Sequence, residues 1–261
     1  TLLRRVADEI EEWEVDAAFS DEVGCLPNYP LCSHDLRGDW GRQRQSGLNY
    51  LLFDWRMPPA TQFLQGLLRA KGWVNFLEQA LGLDGLVPDA AGLGSGMHNV
   101  LRGGYLKLHL DSEWQTVTKL HRRVVVMVYL NPDWEEGFGG HLELWEGNLT
   151  TCAARVLPAL GNVMAFVSSD FSYHGYPHPL RAPKGRSRRA LAMYYYTARR
   201  PARECREGRC GHRHATVWAE EVNCARCRGD CCADHCGGAP AGAPEPPQTA
   251  DAAPPRGARK K

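Results

Sequence analysis

His109 and Asp111 are residues whose types and spacing point to chemistry. They stand in "LKLHLDSE", residues 106–113, where Leu106, Leu108 and Leu110 alternate with Lys107, His109 and Asp111. On a β-strand this alternation sends the leucines to one face and the imidazole and carboxylate to the other. The polar face is either an ordinary strand surface or two-thirds of a metal site, and an HxD pair by itself is too short to decide. Two histidines and a carboxylate bound to one face of a metal leave three coordination positions open, an arrangement that suits Fe(II) and oxygen chemistry. The third ligand must come from a distant segment. Among the other histidines before residue 200, His34 falls in a loop, His98 before the strand, His121 beside a basic turn and His141 within "GGHLELW". His174 and His178 lie in "SSDFSYHGYPHPL". His174 leads, because it follows the buried strand-and-turn run "GNVMAFVSSD" and precedes the strand "RRALAMYYYT"; His178, one short turn later, is the fallback.

The elements that must position these groups change character along the chain. Leu3, Val6, Ile10, Trp13 and Val15 recur at helical spacing. Residues 20–47 are rich in Pro, Gly, Asp and Asn and predict a loop, and "LNYLLFDW" (48–55) predicts a strand. "PPATQFLQGLLRAKG" opens with prolines suited to a first helical turn and carries Phe63, Leu64, Leu67 and Leu68 on one expected side; a short helix over 73–82 follows. From about residue 95, short apolar or alternating runs succeed one another at 98–110, 123–130, 140–146, 152–157, 161–168, 173–177 and 188–197, separated by turn chemistry such as "NPDWEEGFGG" and "RAPKGRS". Strands at this spacing predict a sandwich or jelly roll. With helices early and strands late, the fold class is α+β: a double-stranded β-helix (jelly-roll) core buttressed by N-terminal helices.

The totals exclude some classes. A formal net charge of +1 offers no extended basic surface for nucleic acid. Apolar runs such as Val124–Leu130 are far too short to span a bilayer. No signal peptide is visible, although the chain starts at Thr1, so a removed leader stays open and both cytoplasm and secretory-pathway lumen fit.

In their order, "GGYLKLHLD", "VVVMVYLNPDW", "GGHLELW", "GNVMAFVSSDFSYHG" and "SRRALAMYYYT" resemble the Fe(II)- and 2-oxoglutarate-dependent oxygenases of the prolyl 4-hydroxylase type, from Gly103 to Thr197. The resemblance implies that His109, Asp111 and His174 bind iron. It implies that a basic residue opening the last strand, Arg188, anchors the distal carboxylate of 2-oxoglutarate, and that Tyr129 hydrogen-bonds the same carboxylate. It also implies O2 as a cosubstrate, with succinate and CO2 released as a substrate C–H is hydroxylated, and ascorbate as an accessory reductant. Arginine suits an anion held in an apolar barrel, because its fork meets a carboxylate in two places. Arg188 alternates with Ala190, Ala192 and Tyr194, so small side chains leave room beside it; Arg189, on the opposite face, is the runner-up, and a surface salt bridge is the plainer reading of either. Asn99 and Tyr105 are pocket-lining candidates. Trp134 suits either the substrate cleft or the core, and Gly139 and Gly140 a tight turn. "YLNPDW" favours a prolyl residue of a protein or peptide as substrate. A hydroxylase of free amino acids or other small molecules, or a catalytically silent binding module, are the alternatives, since one fold hosts many functions.

The domain plan is 1–94 as helical and loop support, 95–200 as the oxygenase core, 201–236 as a Cys/His-rich extension and 237–261 as a disordered Pro/Ala/Gly-rich tail. Seven cysteines crowd between Cys205 and Cys236, against Cys25, Cys32 and Cys152 before residue 200. Cys224 and Cys227 have zinc-knuckle spacing, so a small zinc site, a disulfide knot and a low-complexity tail all fit. The odd number in the tail weakens a knot closed on itself. "HATVW" resembles the closing segment of such oxygenases, and residues 214–222 predict one short element.

Overall fold

The early helical periodicities form three helices that lie behind a sheet. In the computed structural model, which describes residues 1–16, 45–46, 57–90, 95–208, 210, 215–219 and 222–236, α1 spans Leu2–Asp16, α2 Pro59–Arg69 and α3 Lys71–Leu81. α1 buries Val6, Ala7 and Ile10. α2 opens with Pro59, whose missing N–H is of no consequence in a first turn. Its buried stripe is Thr61, Leu64, Gln65 and Leu68. The expected side was wider: Phe63 and Leu67 are exposed, on a stripe adjacent to the one that packs on the sheet.

The twelve strands among the described residues are β1 (Gln45–Ser46), β2 (Val87–Pro88), β3 (Gly96–Val100), β4 (Tyr105–Leu110), β5 (Trp114–Gln115), β6 (Leu120–Tyr129), β7 (Leu142–Trp145), β8 (Cys152–Val156), β9 (Val163–Val167), β10 (Tyr173–Tyr176), β11 (Arg188–Thr197) and β12 (Val217–Trp218). They pair antiparallel in two sheets. One runs β1-β4-β10-β7-β8 with β12 also on β4; the other runs β2-β11-β6-β5 with β3 on β11 and β9 on β6. The run expected at 98–110 is thus two strands in different sheets. The loop expected over 20–47 and the strand over 48–55 lie outside the described residues, apart from β1, and so does the disorder expected over 237–261.

Alternation sorts the side chains into three layers. Val125, Met127, Tyr129, Leu142, Met164, Phe166, Ala190, Ala192 and Tyr194 fill the space between the sheets. Val124, Val126, Val128, Leu191, Met193 and Tyr195 face the helices, with Val6, Ile10, Leu64 and Leu77. Leu108, Leu110, Trp145 and Tyr173 project from the back of the other sheet, where Cys152, Cys231 and partly buried Val217, Ala219 and Val222 cover them. Among the described residues no helix is long and apolar enough to cross a membrane.

The cysteine segment is a disulfide framework. Cys205 pairs with Cys210, Cys224 with Cys236, Cys227 with Cys232, and Cys231 with Cys152 on β8. The odd cysteine of the tail therefore finds its partner in the barrel. No cysteine among the described residues is free. Of the three readings open for the tail, these bonds match the disulfide one and correct the zinc one at Cys224 and Cys227, whose sulfurs are bonded to sulfur and are not thiolate ligands. The short element expected at 214–222 is β12, which adds to β4 with Val217 opposite Leu110 and Trp218 opposite His109.

Candidate metal centre

The alternation in "LKLHLDSE" is realised on β4. Leu108 and Leu110 lie in the outer layer, so His109 and Asp111 face the space between the sheets. β10 runs beside β4 with His174 opposite His109. The approach is close enough to require glycine next to His174: a Cβ on Gly175 would meet the carbonyl oxygens of Leu106 and Lys107 at 2.7 and 2.8 Å. Ligand atoms of His109, Asp111 and His174 all lie within 4.8 Å of one another.

Both imidazoles are oriented the same way. His109 Nδ1 is 2.9 Å from the Lys107 carbonyl oxygen, and His174 Nδ1 is 3.2 Å from that of Ser172. With Nδ1–H donated to a carbonyl, the lone pair is on Nε2, the tautomer a metal ligand needs. The Nε2 atoms are the ones aimed at the carboxylate: 3.5 Å from His109 to Asp111 Oδ1 and 3.8 Å from His174 to Oδ2. The ring of Phe166 packs 4.7 Å from that of His174, and the ring of Trp218 lies 5.1 Å from that of His109. Burial, and then the neighbouring His109, push the His174 imidazole down to about 4, so it is neutral at physiological pH. Burial alone would push the Asp111 carboxyl up; the Arg122 guanidinium, together with the two histidines, reverses this and holds it well below the usual carboxylate range. Two imidazoles that present Nε2 and one carboxylate are a donor set that fits Fe(II).

Arg122 was not anticipated. Its Nη1 lies 2.9 Å from Asp111 Oδ2, and its guanidinium stacks 3.9 Å above the ring of Tyr194. It reaches the interior through a bulge. Val125, Met127 and Tyr129 face inward, and strict alternation would aim Arg123 inward too. The register shifts between Tyr195 and Tyr196, so that Val124 stands opposite Tyr195 but Arg122 opposite Tyr196. Arg123 turns instead to Thr197 and Glu204.

Arg188, at the start of β11, is 1% exposed and faces inward with Ala190 and Ala192. Its Nε donates to the Gly140 carbonyl at 2.8 Å and its Nη2 to the Tyr129 hydroxyl at 3.4 Å, with the Tyr176 ring 4.3 Å away. Nη1 is buried with no hydrogen-bond partner. Among the described residues no carboxylate pairs with this cation. A buried guanidinium with an idle donor fits a ligand carboxylate. Gly140 is part of the cradle rather than a turn alone. Its φ is +73°, and a Cβ there would collide with Leu180 Cδ2 and come within 2.9 Å of Arg188 Cδ. The runner-up Arg189 lies on the other face, 3.9 Å from Glu11 of α1.

Tyr176 was also missed, although it lies two residues beyond His174 on one strand and could have been found by that alternation. Of the milder candidates, Trp134 is buried and donates to the Gly139 carbonyl at 3.0 Å. Asn99 stands opposite Arg189 and shares its outward face. His141 lies 2.6 Å from Glu136, away from the triad. His178, the fallback ligand, is not with His109 and Asp111; it sits near Glu143 and His235.

Residues 95–196 match the family model described as the 2OG-Fe(II) oxygenase superfamily. A comparison with curated proteins returned no match. Solved structures similar to this one include a Pseudomonas putida prolyl-4-hydroxylase, at 17% identity over 75% of this chain and 86% of that one, with a TM-score of 0.45. Another is a Trichoplax adhaerens prolyl hydroxylase in complex with a hypoxia inducible factor peptide fragment, at 17% identity over 74% and 78%, with a TM-score of 0.47. HygX from Streptomyces hygroscopicus, with nickel and 2-oxoglutarate bound, gives 12% identity over 73% and 79%, with a TM-score of 0.39. The matched segment is the one that carries His109, Asp111, His174 and Arg188, and over it the chain is similar to the 2OG-Fe(II) oxygenase superfamily.

Proposed function

We propose that this protein is an Fe(II)- and 2-oxoglutarate-dependent dioxygenase that hydroxylates a C–H bond, with a prolyl residue of a protein or peptide as substrate and succinate and CO2 as co-products. The observation that carries the reading is the pairing, inside one barrel, of a His–Asp–His cluster with a buried guanidinium that has an idle donor. His109, Asp111 and His174 would hold the iron, which when bound supplies the oxygen-activating chemistry of the superfamily.

The chain's own residues then have separable tasks. Arg188 binds and orients the distal carboxylate of 2-oxoglutarate through its idle Nη1, with the Tyr129 hydroxyl beside it. Burial pushes the Tyr129 hydroxyl above its usual range, and the Arg188 guanidinium only partly offsets this, so Tyr129 stays protonated and able to donate. Ala190 and Ala192 leave room for the cosubstrate's carbon chain. Arg122 keeps Asp111 ionised and engages Oδ2. Phe166 and Trp218 wall the metal ligands with aromatic surface that excludes water. In this reading residues 95–200 are the catalytic core, 1–94 its support and 201–236 a cross-linked extension. "YLNPDW" is what favours a prolyl substrate.

Purified protein supplied with Fe(II), ascorbate and 2-oxoglutarate is expected to form succinate, and a Pro-rich peptide is expected to gain one oxygen by mass spectrometry. Succinate coupled to oxidation of a free amino acid instead would move the substrate to the small-molecule class. Absence of succinate in all conditions would leave a binding module.

A further inference from the structure

Glu143 on β7 is a buried acidic residue that the triad does not use. Its neighbours Leu142 and Leu144 point between the sheets, so Glu143 and Trp145 point out of the back of the sheet, into the layer covered by the cysteine segment. The residue is 1% exposed. A carboxylate buried that deeply requires partners. Its Oε2 accepts from Trp145 Nε1 at 2.9 Å and lies 2.9 Å from His235 Nε2. The ring of His178, in the segment after β10, stands 4.7 Å from that of His235. Its Nε2 is buried and has no hydrogen-bond partner. One ligand atom from each of Glu143, His178 and His235 lies within 4.8 Å of the others.

We propose that Glu143, His178 and His235 form a second metal site, for a zinc-class divalent cation, on the face of the sheet opposite the iron ligands. Two imidazoles and a carboxylate are borderline N/O donors that suit Zn(II) and leave a fourth tetrahedral position open. That position has space: a cleft of about 500 Å³ is lined by Glu143 and His178 together with Arg155, Arg181 and Asp234. Trp145 holds the carboxylate from behind, as outer partners of metal ligands do.

The three ligands come from segments that chain order does not bring together. His235 belongs to α4, Cys232–Cys236, a helix of five residues. A single turn has no stability of its own. Both ends of α4 are bonded, Cys232 to Cys227 and Cys236 to Cys224, while Cys231 anchors the turn before it to Cys152 on β8. The disulfides thus present His235 to Glu143, and the cation would lock the segment to the barrel.

The test uses the full chain with its disulfides intact, stripped of metal, and Zn(II) alone as the probe. A chain carrying His109→Ala, Asp111→Ala and His174→Ala is expected to retain one zinc per chain by elemental analysis and to melt at higher temperature with zinc than without. Adding His178→Ala or His235→Ala is expected to remove both the zinc and the shift. Because Glu143 is buried, Glu143→Gln supplies an isosteric third variant, with near-UV circular dichroism as the check on folding. Co(II) absorption in the triad-deficient chain gives an independent report of tetrahedral N/O coordination. A triad-deficient chain that binds no zinc would overturn the proposal. So would a melting temperature that drops equally with and without zinc on loss of His235, since the cluster would then be a buried ion pair. Succinate formation by the unaltered chain is scored separately, so failure of either reading leaves the other standing.

Discussion

The two faces of the β4-β10-β7 sheet solve the problem of buried polar groups in opposite ways. Inside, His109 and His174 are placed by strand pairing, with Asp111 one residue past the end of β4, and each imidazole is oriented by a carbonyl two residues back in sequence. Outside, Glu143 is regular but its partner His235 arrives on a segment with little packing of its own, held by cross-links. The difference teaches which forces position chemistry here. The inner constellation is a property of the sheet and should survive damage to the tail, whereas the outer one should not survive loss of the disulfides.

The largest expected effect breaks the inner side. His109→Ala or Asp111→Ala should abolish 2-oxoglutarate turnover and iron uptake, and Asp111→Ala, which also strands the Arg122 guanidinium, should lower the melting temperature of the metal-free chain more than His109→Ala does. Full activity in either variant would remove the metal assignment. Next comes Arg188→Ala, which deletes the buried cation proposed to bind the cosubstrate carboxylate and should weaken 2-oxoglutarate by about 2–5 kcal/mol, read as a raised KM. Arg188→Lys should not restore it, because a point charge cannot reproduce the fork that donates to Gly140 and leaves Nη1 free. A KM unchanged in both variants would show that the cosubstrate binds elsewhere.

Breaking the outer side is expected to give a stability effect without loss of the inner cluster. Replacing Cys152 and Cys231 together by serine removes the bond between β8 and the tail. It should lower unfolding stability by about 2–5 kcal/mol in denaturant titrations. Iron binding per folded chain should persist. If iron binding falls in parallel with stability, the two faces are not independent, and β12, which seats Trp218 against His109, is the element that couples them.

How much of this was legible in the sequence follows the same division. The strands from β6 to β11 were readable because each coincides with an apolar or alternating run closed by turn residues, and the clustering of His109, Asp111 and His174 because these residues stand in a known order of motifs. The pairing of Cys231 with Cys152 was not readable, since disulfide connectivity is a property of the folded distances rather than of spacing. The odd cysteine, which weighed against a knot when the tail was considered alone, is what ties the tail to the barrel. The burial of Gln65 and Thr61 in place of Phe63 and Leu67 was hidden as well, because a helix face is fixed by what it packs against.

Arg122 is the subtler case and carries the smallest effect. Period-two reasoning places Arg123, not Arg122, on the inner face, and a bulge is invisible to period-two reasoning. The consequence is a division of labour between adjacent arginines that substitution can separate. Arg122→Met keeps the apolar stem against Tyr194 but removes the cation from Asp111. Outer partners of metal ligands are typically worth about 10–100-fold in metal affinity, so Fe(II) or Co(II) affinity should fall by about that factor while the chain stays folded. Arg123→Met removes the pairing with Glu204 at the end of the barrel and should lower stability with metal affinity unchanged. Equal metal affinities in the two variants would mean that the bulge serves only to close the strand pair, and that Asp111 is held for the metal by the histidines alone.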